Sequence, residues 1–305
     1  MKISKKLPHM YWSYTRGQWM ERTSPFTLKP VRPIKLISDK ELKDIYLPLA
    51  VFIKERYQLS LRRRQHIASM LEESPAPTPF IIGISGSVAA GKSTIAVIFK
   101  ELLAQLLDQP AIDIIPTDNF LFSNEILEKK GLLEQKGFPE SYDTESFIHF
   151  LQSIKFGQGE QLIPVYSHAS YDIIPNKYQT VRPSDIFIVE GINTLQRVKI
   201  NESGLAVPDF LDYAIYIDAP EDYIIEWFLQ RIESIFLDNQ HIPSSYFHQF
   251  AGLSVQGVRQ LAKQVWEQTN GPNLRQFISP AKYRADLILE KDRNHQIKHI
   301  SLKKI

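Results

Sequence analysis

The segment PFIIGISGSVAAGKST at residues 79–94 constrains the fold of this chain more than any other segment. Directly after an apolar, β-branched run it matches the pattern G-x-x-x-x-G-K-[ST], as Gly86-Ser87-Val88-Ala89-Ala90-Gly91-Lys92-Ser93. Glycines at the two ends of such a turn adopt backbone angles closed to other residues, so successive N–H groups can converge on phosphate oxygens. The order strand, loop, helix favours a nucleotide-binding α/β fold over a chance glycine turn, and it predicts ATP as the ligand.

The side chains at the end of this loop have separate tasks in this interpretation. Lys92 brings a mobile cation to the β- and γ-phosphates, and the Ser93 hydroxyl is a predicted Mg²⁺ ligand. From Thr94 to Leu107 apolar residues recur near a 3.6-residue spacing, which predicts a helix whose positive end points at the phosphates. Residues 86–94 are therefore the predicted binding site for ATP with Mg²⁺.

Composition limits the partners of this chain. Its 305 residues, 43% hydrophobic and 23% charged, are enough for one sizeable globular domain with an appendage. The net charge of +2 gives no global electrostatic reason to expect nucleic acid or an anionic membrane as a partner. The lack of cysteine excludes disulfides, thiolate metal sites and a cysteine nucleophile. With no apolar run of about 18 residues and no signal-peptide pattern, we expect a cytoplasmic protein.

Changes of pattern along the chain suggest its organisation. Residues 1 to about 37 look irregular, and a helix is predicted to begin at Ser38-Asp39-Lys40-Glu41. The Pro-rich segment ESPAPTP at 73–79 is typical of a linker. We therefore predict an N-terminal helical extension at residues 1–75 and a P-loop kinase domain at residues 76–305.

Short apolar runs between helical stretches predict four further strands, at residues 111–116, 186–190, 213–219 and 285–290. Strands that alternate with helices indicate a mostly parallel sheet with helices on both faces. The connection from 120 to 185 is richer in aromatic and turn residues than a simple crossover requires. We expect the site of the phosphate acceptor there.

Three carboxylates end predicted strands, and ligands gather at the carboxyl edge of an open parallel sheet. Asp118 follows its strand closely, as a general base for an acceptor hydroxyl or as a cap in an Asx-turn. Glu190 precedes Gly191 and is either a Mg²⁺ ligand, directly or through water, or a buried cap. Asp218 precedes Ala-Pro at a helix start, so capping is as good an explanation as chemistry, and we assign it no catalytic role.

A series of segments, in order along the chain, resembles the bacterial type I pantothenate kinases. They are GSVAAGKST, IIPTDNFL, KGFPESYD, PVYSH, IVEGIN, YIDAPED, SYFH and LILEKDRNH. The resemblance runs from the P-loop to the C-terminus, and KGFPESYD (136–143) and PVYSH (164–168) are specific to that family. It implies MgATP-dependent phosphorylation of pantothenate to 4′-phosphopantothenate, the first step of coenzyme A biosynthesis, on a P-loop kinase fold related to uridine kinase and phosphoribulokinase. A homodimer and feedback inhibition by coenzyme A are also implied.

The resemblance also implies roles for individual side chains. Asp118 matches the family's catalytic aspartate, and Arg231 matches a cation that crosses to the transferring phosphate. From the sequence alone an exposed helix arginine paired with Glu226 or Glu233 is favoured for Arg231. The remaining matches are pantothenate-binding positions Tyr166, His168, Tyr171, Phe228 and Asn270, and adenine-proximal positions Lys291 and His295.

Departures from the family pattern concentrate around the helix that contains Arg231. Phe228 and Phe250 stand where tyrosines are usual, and Ile232 and Ile235 where phenylalanines are usual, so two phenolic hydroxyls are missing. Val97 replaces an arginine that meets the coenzyme A phosphates, and Asn119 stands where glycine commonly follows the catalytic aspartate. These changes bear on regulation more than on catalysis.

Two other classes of function remain open for this sequence. One is a related kinase that acts on a nucleoside or sugar phosphate, which would need base- or phosphate-reading residues in place of the PVYSH aromatic set. The other is a non-catalytic sensor of nucleotide or coenzyme A, which a lost lysine or base would favour. Lys92, Ser93, Asp118 and Glu190 are all present, so we favour the enzyme.

Overall fold

A seven-stranded sheet organises the protein, in a computed structural model that describes residues 9–24, 31–75, 77–197 and 204–304. The strands are β1 Tyr11–Thr15, β2 Phe80–Gly86, β3 Ile112–Pro116, β4 Gln161–Ser167, β5 Asp172–Val181, β6 Ile186–Glu190, β7 Tyr213–Asp218, β8 Leu287–Lys291 and β9 Ile297–Lys303. The order in the sheet is β1-β9-β8-β7-β2-β6-β3, and β4 and β5 form a separate antiparallel pair. The strands β3, β6, β2, β7 and β8 are parallel, whereas β9 and β1 add antiparallel strands at one edge.

Helices cover both faces of the sheet, as the alternation of strands and helices predicts. The α-helices are α1 Arg16–Thr23, α2 Asp39–Glu41, α3 Leu47–Met70, α4 Lys92–Leu106, α5 Asn124–Lys129, α6 Thr144–Lys155, α7 Glu221–Asn239, α8 Val255–Val265 and α9 Gly271–Asn273. Within β2, Ile82 and Ile84 pack in a core cluster with α3 and α4, while Ile81 packs with α6 on the opposite face. This period of two is what a strand buried on both faces requires.

Most of the strand and helix predictions are confirmed. The predicted strands correspond to β3, β6, β7 and β8, and the P-loop helix begins at Lys92. The predicted helix start is also confirmed, because the Ser38 hydroxyl accepts the backbone N–H of Glu41 at 3.2 Å. A π-helical segment, Leu42–Tyr46, then leads into α3.

The expectation of irregular structure up to about residue 37 is wrong in part. Residues 11–23 form β1 and α1, and β1 pairs with β9 along its whole length. Local patterning predicts no helix or strand there because β1 is an edge strand stabilised by pairing with β9, nearly 300 residues away. Residues 1–8 and 25–30 lie outside the described part of the chain.

The predicted linker contains no helix or strand at 73–75 and 77–79, and Ala76 lies outside the described residues. The division into residues 1–75 and 76–305 stays a proposal. Side chains of α3, among them Leu49 and Ile53, share a core cluster with residues of β2 and α4.

Candidate active site

The loop between β2 and α4 lies at the carboxyl edge of the parallel strands, where ligands collect. Its backbone has the predicted positive φ at the two glycines, 151° at Gly86 and 86° at Gly91, and Ala89, which was not predicted, also has a positive φ of 58°. Helix α4 begins directly after Gly91, so its unpaired N–H groups open toward the loop. The described loop therefore has the form of a phosphate-binding turn.

The charge of Lys92 interacts with those of three other side chains. Its ammonium donates to the Ser87 carbonyl at 2.9 Å. Burial lowers the pKa of Lys92, the carboxylates of Glu190 and Asp118 oppose that shift, and Arg231 adds to it. The structure thus brings four residues from four different parts of the sequence into one electrostatic environment.

Glu190 lies beside the first turn of α4. Its carboxylate accepts a hydrogen bond from the Ser93 hydroxyl at 2.7 Å, and its side chain is buried. At Gly191 an added Cβ would lie 1.7 Å from Thr117 Oγ1, so only glycine allows the ends of β3 and β6 to meet this closely. The pair of a hydroxyl and a carboxylate supplies the hard oxygen atoms that Mg²⁺ prefers.

Asp118 lies in a 3₁₀ turn, Thr117–Phe120, directly after β3. Among the hydrogen bonds of the described residues, its side chain accepts one from the Tyr142 hydroxyl, at 3.4 Å. A capping role would instead require a nearby backbone N–H donor. Burial raises the pKa of Tyr142, and the charge of Asp118 adds to the rise, so Tyr142 stays protonated as a donor.

Asn119 connects this turn to the acceptor side of the site. Its side-chain oxygen accepts the backbone N–H of Tyr166 at 3.0 Å, and Asn119 is 5% exposed. Sequence reasoning registered Asn119 only as a departure from glycine. The structure shows that the Asn119 side chain joins the turn that contains Asp118 to strand β4.

The predicted acceptor residues on the β4–β5 hairpin form an aromatic group. Ring centroids of Tyr166 and His168 are 5.2 Å apart, and those of Tyr166 and Tyr171 are 6.4 Å apart. Tyr246, which precedes α8, packs on Tyr171 at 5.2 Å. Burial, followed by the charge of Arg231, lowers the pKa of His168.

A buried lysine lies beneath this aromatic group and was missed by sequence reasoning. The Lys136 ammonium donates to Asn124 Oδ1 and to the Tyr171 carbonyl, both at 2.6 Å. It also lies 4.5 Å from the centroid of the Tyr171 ring and 5.3 Å from that of Tyr166. Lys136 opens the segment KGFPESYD, and that position was the available signal.

On α7, Arg231 does not pair with the glutamates that the sequence favoured. Arg259 of α8 takes both, with its guanidinium 2.7 Å from Glu226 and 2.5 Å from Glu233. Arg231 is solvent-exposed, and its charge acts on Lys92, as described above. Phe228 is buried, with its ring 5.7 Å from that of Trp266.

Asn270 ends a π-helical segment, Trp266–Asn270, that continues α8. The residues around it are held against residues 134–137, which lead into KGFPESYD: Thr269 donates to the Glu134 carbonyl at 2.8 Å, and Asn273 to the Gly137 carbonyl at 2.7 Å. A π-helical turn of this kind often accompanies a functional residue. The amide of Asn270 is thus carried on a segment fixed at two points.

The two residues predicted near adenine lie in different environments. Lys291 is buried and donates to the Ala90 carbonyl of the loop at 2.8 Å. His295 is exposed, yet its ring stacks on Trp227 with centroids 4.0 Å apart and planes 24° apart. Of these two residues, therefore, only His295 has a side chain at the surface.

Asp218, which received no catalytic role, has structural partners. Its carboxylate accepts from Lys282 at 3.1 Å and from the backbone N–H of Ala219 at 3.1 Å.

Across the described ranges, the helices include none that combines the length and the apolar character needed to cross a membrane.

Comparisons with known proteins point to one group. The profile of the phosphoribulokinase / uridine kinase family matches residues 81–234. A pantothenate kinase of Brevibacillus brevis is 40% identical over 308 residues, which cover 97% of this chain and 96% of that protein. A pantothenate kinase of Histophilus somni is 41% identical over 304 residues, 96% of this chain and 95% of the relative.

Solved structures agree on the fold. A D-glycerate 3-kinase from Cryptococcus neoformans superposes with a TM-score of 0.58 at 14% identity, covering 83% of this chain and 99% of that one. At this identity the likeness concerns the architecture of the sheet and its helices alone.

Proposed function

The chain belongs to the pantothenate kinase family, and we propose that the cluster around Lys92 and Asp118 is its catalytic site. The reaction is the ATP-dependent phosphorylation of pantothenate to 4′-phosphopantothenate, the first step of coenzyme A biosynthesis. The observation that carries the assignment of the site is geometric: the phosphate loop leads into α4, whose Ser93 donates to the Glu190 carboxylate at 2.7 Å, and the charges of Glu190, Asp118 and Arg231 all act on the adjacent Lys92. A non-catalytic sensor would not need this combination.

Asp118 activates the acceptor in this proposal. Its carboxylate orients the primary hydroxyl of pantothenate and accepts its proton as the oxygen attacks the γ-phosphorus of ATP. The Tyr142 hydroxyl donates to one carboxylate oxygen, which leaves the other oxygen for the acceptor. Because phosphoryl transfer needs alignment more than covalent chemistry, this fixed orientation is a large part of the catalytic contribution.

Cations on two sides compensate the charge of the phosphates. Lys92 and the N–H groups of the loop stabilise charge on the β- and γ-phosphates. Arg231 approaches from α7, and its freedom from Glu226 and Glu233 supports this role, because Arg259 holds both glutamates. A planar guanidinium suits the oxygens of a transferring phosphoryl group.

Ser93 and Glu190 would hold Mg²⁺. Both offer hard oxygen atoms, which fits this metal, and their 2.7 Å hydrogen bond already places them together. When bound, the ion neutralises charge that develops on the phosphates.

Pantothenate lies, in this proposal, against the β4–β5 hairpin and α7. Tyr166, His168 and Tyr171 provide polar groups on aromatic bodies, and Phe228 and Asn270 complete the pocket from α7 and the π-helical segment. His295 lies next to the adenine of ATP. The buried ammonium of Lys136 adds positive charge beneath the tyrosines, which favours the carboxylate of pantothenate.

Coenzyme A as a feedback inhibitor and a homodimeric assembly are further proposals that rest on the family resemblance. The inhibitor would compete with ATP for the phosphate loop. Its thiol end would rest among residues of α7, where Ile232 and Ile235 are partly buried.

The direct test is an assay of ATP-dependent phosphate transfer to pantothenate, with nucleosides and sugar phosphates as competing acceptors. Replacement of the base, Asp118→Asn, keeps the side-chain shape but removes the proton acceptor, so turnover should fall about 10²-fold or more. MgATP binding measured by calorimetry should change little. Near-normal turnover in this variant would exclude Asp118 as the base, and transfer to another acceptor in preference would exclude pantothenate.

A further inference from the structure

Lys291 is the last residue of β8, and its side chain reaches the phosphate loop. The pairing of β8 with β9 shifts register between Glu290 and Lys291. Glu290 pairs with Lys298 at the surface at 2.9 Å, whereas Lys291, the next residue, is only 4% exposed. Consecutive side chains of a strand point to opposite faces, so Lys291 shares the face of Leu287 and Leu289, which pack in the core cluster with α3 and α4. The end of β8 thus places the ammonium of a buried lysine against the phosphate loop.

The ammonium of Lys291 touches the loop at two consecutive residues. It donates to the carbonyl of Ala90 at 2.8 Å. At Gly91, which has a left-handed φ of 86°, an added Cβ would lie 2.7 Å from the Lys291 nitrogen. These residues immediately precede Lys92. The ammonium therefore braces the part of the loop whose N–H groups must face the phosphates.

The charge of Lys291 is balanced from the N-terminal extension. Glu41 acts on Lys291 in the direction that favours its charged form, against burial and the nearby Lys92. The Glu41 carboxylate is itself fixed, because it accepts from Arg16 at 2.5 Å and from the backbone N–H of Ile297 at 3.2 Å. Ile297 is the residue that pairs with Lys291 across β8 and β9. The extension is thus connected to the phosphate loop through adjacent residues.

We propose that Lys291 is a positioning residue of the phosphate loop and does not read the adenine base. Its ammonium holds the Ala90 carbonyl, and so keeps the loop in the shape that binds the phosphate chain of ATP. This inference rests on the proposed use of ATP at this loop. It replaces the adenine-proximal role that the family resemblance implied for Lys291 and leaves His295 in that role.

Two ligands separate a loop contact from a base contact. Magnesium complexes of ADP and of inorganic tripolyphosphate share a phosphate chain, but only ADP has adenine. In Lys291→Met, which keeps length and loses the ammonium, both should bind about tenfold more weakly by calorimetry, because a buried charge-assisted hydrogen bond is lost. The KM for ATP should rise with them, while the KM for pantothenate stays unchanged. Lys298→Met, on the neighbouring strand and outside the loop, is the matched control and should bind both ligands like the native protein.

Other outcomes would overturn the proposal. A loss confined to ADP would make Lys291 an adenine contact, and unchanged binding of both ligands would remove it from the site. If the methionine variant does not fold, as judged by its thermal melting curve, binding of the same two ligands is measured with Lys291→Gln, and the same outcomes decide. Failure of the proposed function has a separate signature, because the native protein would then bind ADP yet transfer no phosphate to pantothenate.

Discussion

The phosphate side and the acceptor side of the site are built in different ways. On the phosphate side, the loop residues 86–93 are consecutive, and their geometry follows from two glycines and the start of α4. On the acceptor side, each contact joins distant parts of the chain: Asn119 to Tyr166, Lys136 to Tyr171, and Asn273 to Gly137. One side is a local motif, and the other is a product of the tertiary fold.

This difference bears on how well each side of the site tolerates substitution. A consecutive loop has little freedom, since each N–H group must point at the same phosphate chain. The acceptor side is held by several independent contacts, so one apolar side chain can replace another there while the remaining contacts persist. Phe228, Ile232, Ile235 and Phe250 accordingly belong to apolar clusters that pack without a hydroxyl.

The largest effect is expected from a substitution that disrupts only the phosphate side. Lys92→Ala removes the cation that stabilises transferring charge, and kcat should fall about 10²-fold or more. Pantothenate binding by calorimetry should be unchanged, because the acceptor contacts are made by other residues. If turnover survives at the native rate, or if pantothenate affinity falls in parallel, the two sides are not separable as described.

Inhibition by coenzyme A tests both sides together. Val97 offers no guanidinium to a phosphate, and Ile232 and Ile235 lack rings for contacts with the thiol end. Restoring a charge-assisted contact and sulfur–aromatic contacts, in the combined variant Val97→Arg, Ile232→Phe, Ile235→Phe, should strengthen inhibition about tenfold. Coenzyme A is titrated against turnover at fixed, subsaturating ATP. Equally tight inhibition of the native protein and the variant would contradict the expectation.

A smaller effect is expected at the contact between Asp118's turn and the hairpin. Asn119→Ala leaves the buried N–H of Tyr166 without its acceptor, a loss of about 1 kcal/mol that raises the KM for pantothenate about fivefold. The KM for ATP should not change. Asn119→Gln keeps a neutral amide oxygen as acceptor and is the conservative control, with a pantothenate KM closer to native than that of the alanine variant. A raised ATP KM in the alanine variant would show that this contact belongs to the phosphate side.

The same physical difference makes the phosphate side easier to predict from the sequence than the acceptor side. The loop, its helix and the ends of β3 and β6 follow from local periodicity and glycine placement, so Lys92, Ser93, Asp118 and Glu190 were named from residues alone. The partners Tyr142, Asn119 and Lys136 were not, because their significance arises from contacts between distant segments. The β4–β5 hairpin and β1 were not predicted from the sequence for a similar reason, since pairing with another strand stabilises each of these strands.

Arg231 shows a different limit of the sequence. Helical spacing identifies neighbours on the same helix, and it made Glu226 and Glu233 the favoured partners. An arginine on α8, outside that helix, holds both glutamates instead. Competition between partners from two helices depends on how the helices pack, which local spacing does not contain.

The smallest expected effect compares a buried lysine from each side. Burial lowers the pKa of Lys136 to about 8 and that of Lys291 to about 8. For Lys136 the charges of Asp172 and Asp118 oppose this shift, and for Lys291 the charge of Glu41 does. Each pKa is lower in the folded protein than in the unfolded chain, so above about pH 8 the unfolded state binds more protons than the folded state. Each lysine therefore increases the free energy of unfolding as the pH rises from about 8 toward the pKa of an unfolded lysine.

Ligand binding should change in the opposite direction, because each ammonium supplies positive charge to an anionic ligand. Between pH of about 7.5 and 9 the KM for pantothenate should rise about threefold as Lys136 loses its proton. Arginine stays charged throughout this range, so Lys136→Arg should flatten the pH profile of the pantothenate KM and leave that of ATP unchanged. Lys291→Arg should flatten only the ATP profile. A single substitution that flattens both profiles would show that the lysines titrate together, and the two sides would then be one electrostatic unit.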